Sequence, residues 1–518
     1  MGRKRFLISL LPYLLAFSSP AQLPPATNPL APTQNSPAAC SASDASSCAQ
    51  IAVKLQLIIL GPSPVEENLR RLTDEIGGRV TGSPEMARAV DWAVAAFRAA
   101  GVEVHTEKYA LPVTWSETVS RLELLSDVKF PIRLVSVACS PATPPNGIED
   151  GVVDVGYGTP DDFSKAAAQL KGSILLVHTD VSSTWADLSK EYSQPPPIID
   201  RAVKGGASAI LWMGQRERML LYRHTNSLAG EIDRIPQAIL AREDAMRLAR
   251  TLAAYPGKVH AHLDLLNSMG GPVEQQNVVG EIRGYEKPDE VVILGAHLDS
   301  WELGTGALDN GCNAALVIEA ARAIKATGLL PRRTIRFVLF SGEEQGLVGS
   351  HEYVNAHRAE LDKIRAAIIF DNGIGRVTGF SLGGRHDIEA GVRAVLQPLD
   401  SWSVNTHTFD ATAGDTDNFD LLLEGVPTLV ANQEEANYLP NYHAASDTFD
   451  KVDIQVLKRH TVIAALTAWG IADRTEPLGK RLSRSEIEAQ MKETGLDQQM
   501  KTLGYWDAWL SGSRGRQP

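Results

Sequence analysis

Four cysteines in 518 residues are too few for a disulfide-built scaffold or a cysteine-rich zinc module, so any metal site must draw on His, Asp and Glu. Positive charge is also short. With 50 Lys and Arg against 62 Asp and Glu, the formal net charge is −12, and no long basic run follows residue 5. That excludes the electrostatic footprint of a nucleic-acid-binding chain. Beyond the N-terminal region no run of about 20 apolar residues occurs, which excludes a later membrane span. What remains, 44 % hydrophobic and 22 % charged, is the composition of a globular protein able to bury a large core.

The N-terminal region sets an expected compartment. Gly2-Arg3-Lys4-Arg5, the apolar run 6–17 and the small residues Ser19-Pro20-Ala21 are in turn the basic, hydrophobic and cleavage parts of a secretory signal peptide over residues 1–21. The apolar run, broken by Pro12, is too short to cross about 30 Å of hydrocarbon. A secreted or periplasmic product with no membrane anchor after cleavage is expected. Residues 22–50, rich in Pro, Ala, Ser, Thr and Gln, have no hydrophobic period and are expected to be a linker. Within it, Cys40 and Cys48 are candidates for pairing in an oxidising compartment.

From residue 65 the period becomes helical, with helices predicted over 65–76 and 85–100 around a Gly-rich turn, and a strand over 102–109. Between about 125 and 265 the texture changes to short strands and many glycines, without a cluster of catalytic residue types. His260, His262 and Asp264 alternate on one strand face there, and a half-exposed face accounts for them better than a metal site does. The segment 125–265 is therefore expected to be an inserted non-catalytic domain. It splits the main domain into 51–124 and 266–475, with 476–518 as a C-terminal extension.

The chemistry-bearing residues come after Asn277. Four apolar runs suit strands buried on both faces: 291–296, ending at His297; 334–340, ending before Glu343 and Glu344; 366–370, ending at Asp371; and 426–431, followed by a loop with His443. With helices between them they predict an α/β fold with a mostly parallel twisted sheet flanked by helices, which places sites at the carboxyl ends of its strands. Two imidazoles, His297 and His443, and the carboxylates Asp309, Glu343, Glu344 and Asp371 collect on that edge, a donor set that suits zinc and has room for a pair of ions. Asp309, just before a helix, is placed to bridge. Asp299 is expected to accept the other imidazole proton of His297. Of the adjacent Glu343 and Glu344, expected at a helix start, one would bind metal and its neighbour handle the proton of a bridging water. Any one of these residues alone is an ordinary turn or helix-start residue; their coincidence at four strand ends is the signal.

At these residues, and over about 68–472, the sequence resembles the co-catalytic dizinc exopeptidases, a family that includes bacterial aminopeptidases and glutamate carboxypeptidases. The resemblance implies two Zn2+ ions, one on His297 and Asp371 and the other on Glu344 and His443, with Asp309 bridging and Glu343 as general base. It also implies a protease-associated-type domain inserted before the catalytic strands, and short peptides as substrates. Hydrolysis at a free amino terminus is the favoured direction, since the only basic residues near the ligand segments, Arg376 and Arg385, are expected to face solvent. The alternatives are a carboxypeptidase acting on a free C-terminus, a glutaminyl cyclase-like enzyme, and a non-catalytic binding protein on the same fold. A homodimer is left open.

Overall fold

The computed structural model describes residues 45–226, 230–414 and 416–517. The signal-peptide segment, most of the expected linker and Cys40 lie outside the described residues, as does the side chain of Cys48. In chain order the strands are β1 (Glu103–Leu111), β2 (Thr114–Leu124), β3 (Leu134–Ser136), β4 (Ile148–Asp154), β5 (Ile174–Val177), β6 (Ala209–Met213) and β7 (Gln237–Leu240). They continue with β8 (His260–Gly270), β9 (Val273–Ile282), β10 (Lys287–His297), β11 (Arg333–Phe340), β12 (Ile364–Ile369), β13 (Val377–Ser381) and β14 (Thr428–Gln433).

These strands form two seven-stranded sheets. The first has the order β1-β9-β11-β10-β12-β14-β13. Its centre, β11-β10-β12-β14, is parallel, whereas β9 runs antiparallel to β1 and β11, and β13 antiparallel to β14. The expected mostly parallel sheet is thus corrected to a mixed one. The cause is connection length: a parallel return needs a crossover of about a dozen residues or more, usually helical. The links 283–286 and 370–376 hold none, so β9 and β13 reverse direction.

β10 shows why its sequence is an unbroken apolar run. Val292, Leu294 and Ala296 pack on one side with buried residues of the helices Cys312–Ala326 and Ile454–Asp473, while Val291 and Ile293 pack on the other with Tyr353 and Val354 of the helix Val348–Ala356. With both faces covered, alternation would put polar groups into a core. A helix Ala45–Leu60 begins inside the expected linker, and buries Ile51, Ala52, Leu55 and Ile59 in the same core.

The second sheet has the order β2-β8-β4-β5-β6-β7-β3, again with a parallel centre, β4-β5-β6-β7. Short links, 112–113 and 271–272, join it to the first sheet at both ends, so that the β1/β9 ribbon continues directly into β2/β8. The second sheet therefore reaches from Thr114 to Gly270, wider than the segment 125–265 marked by texture alone. C-terminal to the helix Ile454–Asp473, Ile487, Met491, Leu496, Met500 and Trp509 share a core with Leu347, Ala413, Phe419 and Leu423. Arg514 there clasps the buried Asp420 with two hydrogen bonds, 2.8 and 2.6 Å. Among the described residues no helix is long and apolar enough to cross a membrane.

Candidate metal centre

The carboxyl ends of the four parallel strands of the first sheet converge. His297 is the last residue of β10 and lies opposite Phe340 of β11. Its Nδ1 is 3.1 Å from the main-chain oxygen of Asp299, an arrangement that puts the proton on Nδ1 and turns the Nε2 lone pair inward. Nε2 lies 3.2 Å from Asp309 Oδ1 and 3.5 Å from Asp371 Oδ1. His443, in the loop after β14, holds a left-handed φ of 58°. Its Nε2 is 3.0 Å from Glu344 Oε2 and 3.3 Å from Asp309 Oδ2. Asp309 thus offers one oxygen to each side.

Two groups able to hold a metal ion result, His297–Asp309–Asp371 and Asp309–Glu344–His443, each with its ligand atoms within 4.8 Å of one another. All five residues are buried. Asp309 Oδ2, Glu344 Oε1 and His443 Nδ1 lack hydrogen-bond partners, and so much buried carboxylate with so few partners is costly without a cation. Nitrogen and oxygen donors without sulfur fit zinc. The electrostatics of the bare protein agree. Burial pushes Glu344 up to about 7 and Glu343 well above the usual carboxylate range. Burial alone would keep His443 neutral, yet Glu344 and Asp309 outweigh it and raise the imidazole to about 10.

Glu343 sits beside this set, Oε2 3.9 Å from His297 Nε2, with 13 % of its side chain exposed. Asp299 meets His297 Nδ1 through both its carbonyl, at 3.1 Å, and its carboxylate, at 3.7 Å, and the same carboxylate accepts the amides of Glu343 and Glu344 at 3.3 Å each, so it also orients the glutamate turn. Two expectations need correction. Glu343 and Glu344 lie in a turn ahead of the helix that starts at Val348, not at its first residues. Arg385 is buried against Asp387, while Arg376 is exposed and paired with Glu434. His260 and His262 lie on β8 in the second sheet, with His262 3.2 Å from Asp264, and among the described residues they join no group able to hold a metal ion.

Other supports were not visible in the sequence. Asp447 accepts the amides of Ala307, Leu308 and Asp309 at 3.1, 2.7 and 3.1 Å and so fixes the bridging segment. Fully buried Arg79 donates to the carbonyls of Leu298, Thr305 and Gly306 and ties that segment to the end of β10. The loop after β6 reaches the His443 loop: Arg223 N donates to His443 O at 2.9 Å and Ala445 N to Leu221 O at 3.0 Å. Asp447 is four positions after His443, a local hint; the partners of Arg79 and Arg223 are too distant in sequence to leave one.

The family model of peptidase family M28 matches residues 277–468, the stretch that holds all five ligand-type residues. The chain is 29 % identical to carboxypeptidase Q of Mus musculus over 415 residues, 80 % of this chain and 86 % of that protein. An aminopeptidase of Bacillus subtilis is 24 % identical over 449 residues, 83 % of this chain and 88 % of that one. The structure of a peptidase M28 precursor from Shewanella amazonensis, 27 % identical, superposes over 85 % of this chain and 100 % of its own with a TM-score of 0.76. A zinc aminopeptidase from Bacillus subtilis, 19 % identical, shares the fold over 80 % of this chain and 96 % of its own with a TM-score of 0.62. The M28 match ends before the C-terminal helices that bury Trp509.

Proposed function

We propose that this chain is an exported metallo-exopeptidase that removes the amino-terminal residue of dipeptides and short peptides. The observation that carries the reading is Asp309, whose two oxygens face two separate imidazoles, His297 at 3.2 Å and His443 at 3.3 Å. His297 and Asp371 would hold one zinc ion, Glu344 and His443 a second, with Asp309 shared. Bound there, two zinc ions would supply Lewis acidity to a water and to the peptide carbonyl. The rest falls to the chain. Glu343, partly exposed and with its proton affinity raised by burial, takes the water's proton on Oε2 and returns it to the leaving amine. Asp299 holds the Glu343–Glu344 turn through its two amides, so that metal ligand and base keep a fixed relation. A free substrate amine is accommodated by the same carboxylate-rich edge, which has no need of a long specificity groove.

In this reading the segment about 125–265 is a protease-associated-type insert, residues 1–21 direct export, and short peptides are the partners. The test is one peptide prepared free and N-acetylated, given to zinc-loaded enzyme. Acetylation removes a charge-assisted contact and is expected to lower cleavage by orders of magnitude. Equal cleavage of the acetylated peptide would overturn the direction of attack.

A further inference from the structure

Three C-terminal helices, Arg484–Thr494, Leu496–Leu503 and Trp506–Ser511, lie past the end of the M28 match, yet they share a core with the turn that carries Glu343. That turn is an awkward piece of backbone. Between β11 and the helix Val348–Ala356 it holds three left-handed residues, Gly342 at a φ of 76°, Gly346 at 104° and Leu347 at 62°. Glycine adopts that region freely, whereas a leucine stays there only where its surroundings hold it. The support for Leu347 is largely C-terminal: its buried side chain belongs to the same cluster as Ile487, Met491, Leu496, Met500 and Trp509.

A polar chain makes a second link to the same place. Arg514 donates Nε and Nη2 to the buried Asp420 carboxylate at 2.8 and 2.6 Å. Asp420 Oδ1 also accepts from Nδ1 of His351 at 3.0 Å, and His351 lies in the first turn of the helix that follows the glutamates. The guanidinium is itself held, its centre 4.8 Å from the ring of Tyr505 and 5.3 Å from that of Phe419. Burial would raise the Asp420 carboxyl, but Arg514 and His351 outweigh it and hold it well below the usual carboxylate range, so these hydrogen bonds are charge-assisted. Asp299 thus grips the turn at the amides of Glu343 and Glu344, and the C-terminal helices grip its other end at Leu347 and His351. A general base acts only from the right place, and a misplacement of about 1 Å can cost about 10²-fold in rate.

Resting on the peptidase reading above, we propose that the C-terminal helices belong to the active site: through Leu347, and through Arg514, Asp420 and His351, they position the turn that carries Glu343. Arg514 and His351 are then positioning residues, which act on the chemistry only through that turn.

The test uses zinc-loaded full-length enzyme and alanyl-alanine. His351→Leu removes one donor to Asp420 but leaves the Arg514–Asp420 pair, so the C-terminal helices stay docked. Its kcat is expected to fall by about ten- to a hundredfold, with KM within about twofold of wild type and metal content unchanged. His351→Asn, whose amide nitrogen can stand where Nδ1 stands, should return most of the lost kcat. Arg514→Met should lower kcat as well, and combined with His351→Leu the two losses should fall well short of multiplying, because both break one chain of contacts. If Arg514→Met does not fold, Arg514→Lys, which keeps the charge but not the fork, takes its place with a smaller loss. Hydrogen exchange at the amides of residues 343–348, which needs no turnover, should quicken by about tenfold in His351→Leu. Unchanged kcat with unchanged exchange in that variant would overturn the inference alone, as would a loss confined to KM or accompanied by loss of zinc. Wild-type enzyme that does not cleave alanyl-alanine would overturn the peptidase reading and the inference with it.

Discussion

Both sheets are built around four parallel strands, and both turn the carboxyl ends of those strands toward polar residues, yet only one assembles a metal centre. In the first sheet the ends of β10, β11, β12 and β14 lead into His297, Glu343 with Glu344, Asp371 and His443, and all but Glu343, which sits beside His297, gather around Asp309. In the second, β4 and β5 end near Asp154 and His178, which pair with each other at 3.0 Å on a partly exposed surface. Among the described residues both groups able to hold a metal ion belong to the first sheet. Topology provides the edge; buried acids and imidazoles aimed at a common point provide the chemistry.

The largest effect should come from the base. Glu343→Gln is nearly isosteric but cannot accept a proton, so hydrolysis should fall by about 10²–10⁴-fold, with metal content unchanged by elemental analysis. Near-normal turnover would show the base to be elsewhere. His443→Ala, by contrast, should lose metal along with activity, because it removes an imidazole of the ligand set. A step smaller is Asp447→Ala. It leaves every ligand in place but frees the amides of Ala307, Leu308 and Asp309, and should weaken metal binding by about 10–100-fold in a competition titration with a chelator.

The imidazoles sharpen the contrast further. Acid neighbours raise His297 and His443, whereas His460, buried against Phe370 and away from carboxylates, is pushed down by burial to about 4 from a usual 6.5. The unfolded chain therefore binds the extra proton first, and stability declines as pH falls from about 6.5 toward 4. His460→Leu should flatten that decline in chemical denaturation, by up to about 3 kcal/mol at the acid end. An unchanged pH slope would mean that His460 is protonated in the folded state. The smallest effect belongs to the second sheet: His260→Ala and His262→Ala should keep metal stoichiometry and a rate within about twofold of wild type. Loss of a metal ion in either would break the contrast between the sheets.

The ligand edge was legible because His297 and Asp371 directly follow apolar runs, at Ala296-His297 and Phe370-Asp371, and Glu343 with Glu344 and His443 lie in the segments after two further runs, so strand ends and donors appear together in the sequence. The mixed strand directions were not, since β9 and β13 look like their parallel neighbours and only the short links 283–286 and 370–376 distinguish them. The helix Ala45–Leu60 was hidden by a Ser- and Ala-rich first half that reads as linker. Asp299 was placed beside His297, but alternation along an extended segment cannot show that its carbonyl, at 3.1 Å, comes nearer the ring than its carboxylate, at 3.7 Å, or that the carboxylate also holds the glutamate turn. Arg79 and Arg223 hold the segments around the centre across long sequence separations, which no local pattern records.

The central claim is that one carboxylate, Asp309, joins two metal positions that the peptidase needs. Protein stripped of metal by a chelator should be inactive, and titration with zinc, followed together by calorimetry and by hydrolysis of alanyl-alanine, should restore activity with saturation at about two ions per chain. In Asp309→Asn protein both binding events should weaken together. Full activity after stripping, or saturation at a single ion with Asp309→Asn unaffected, would contradict the account.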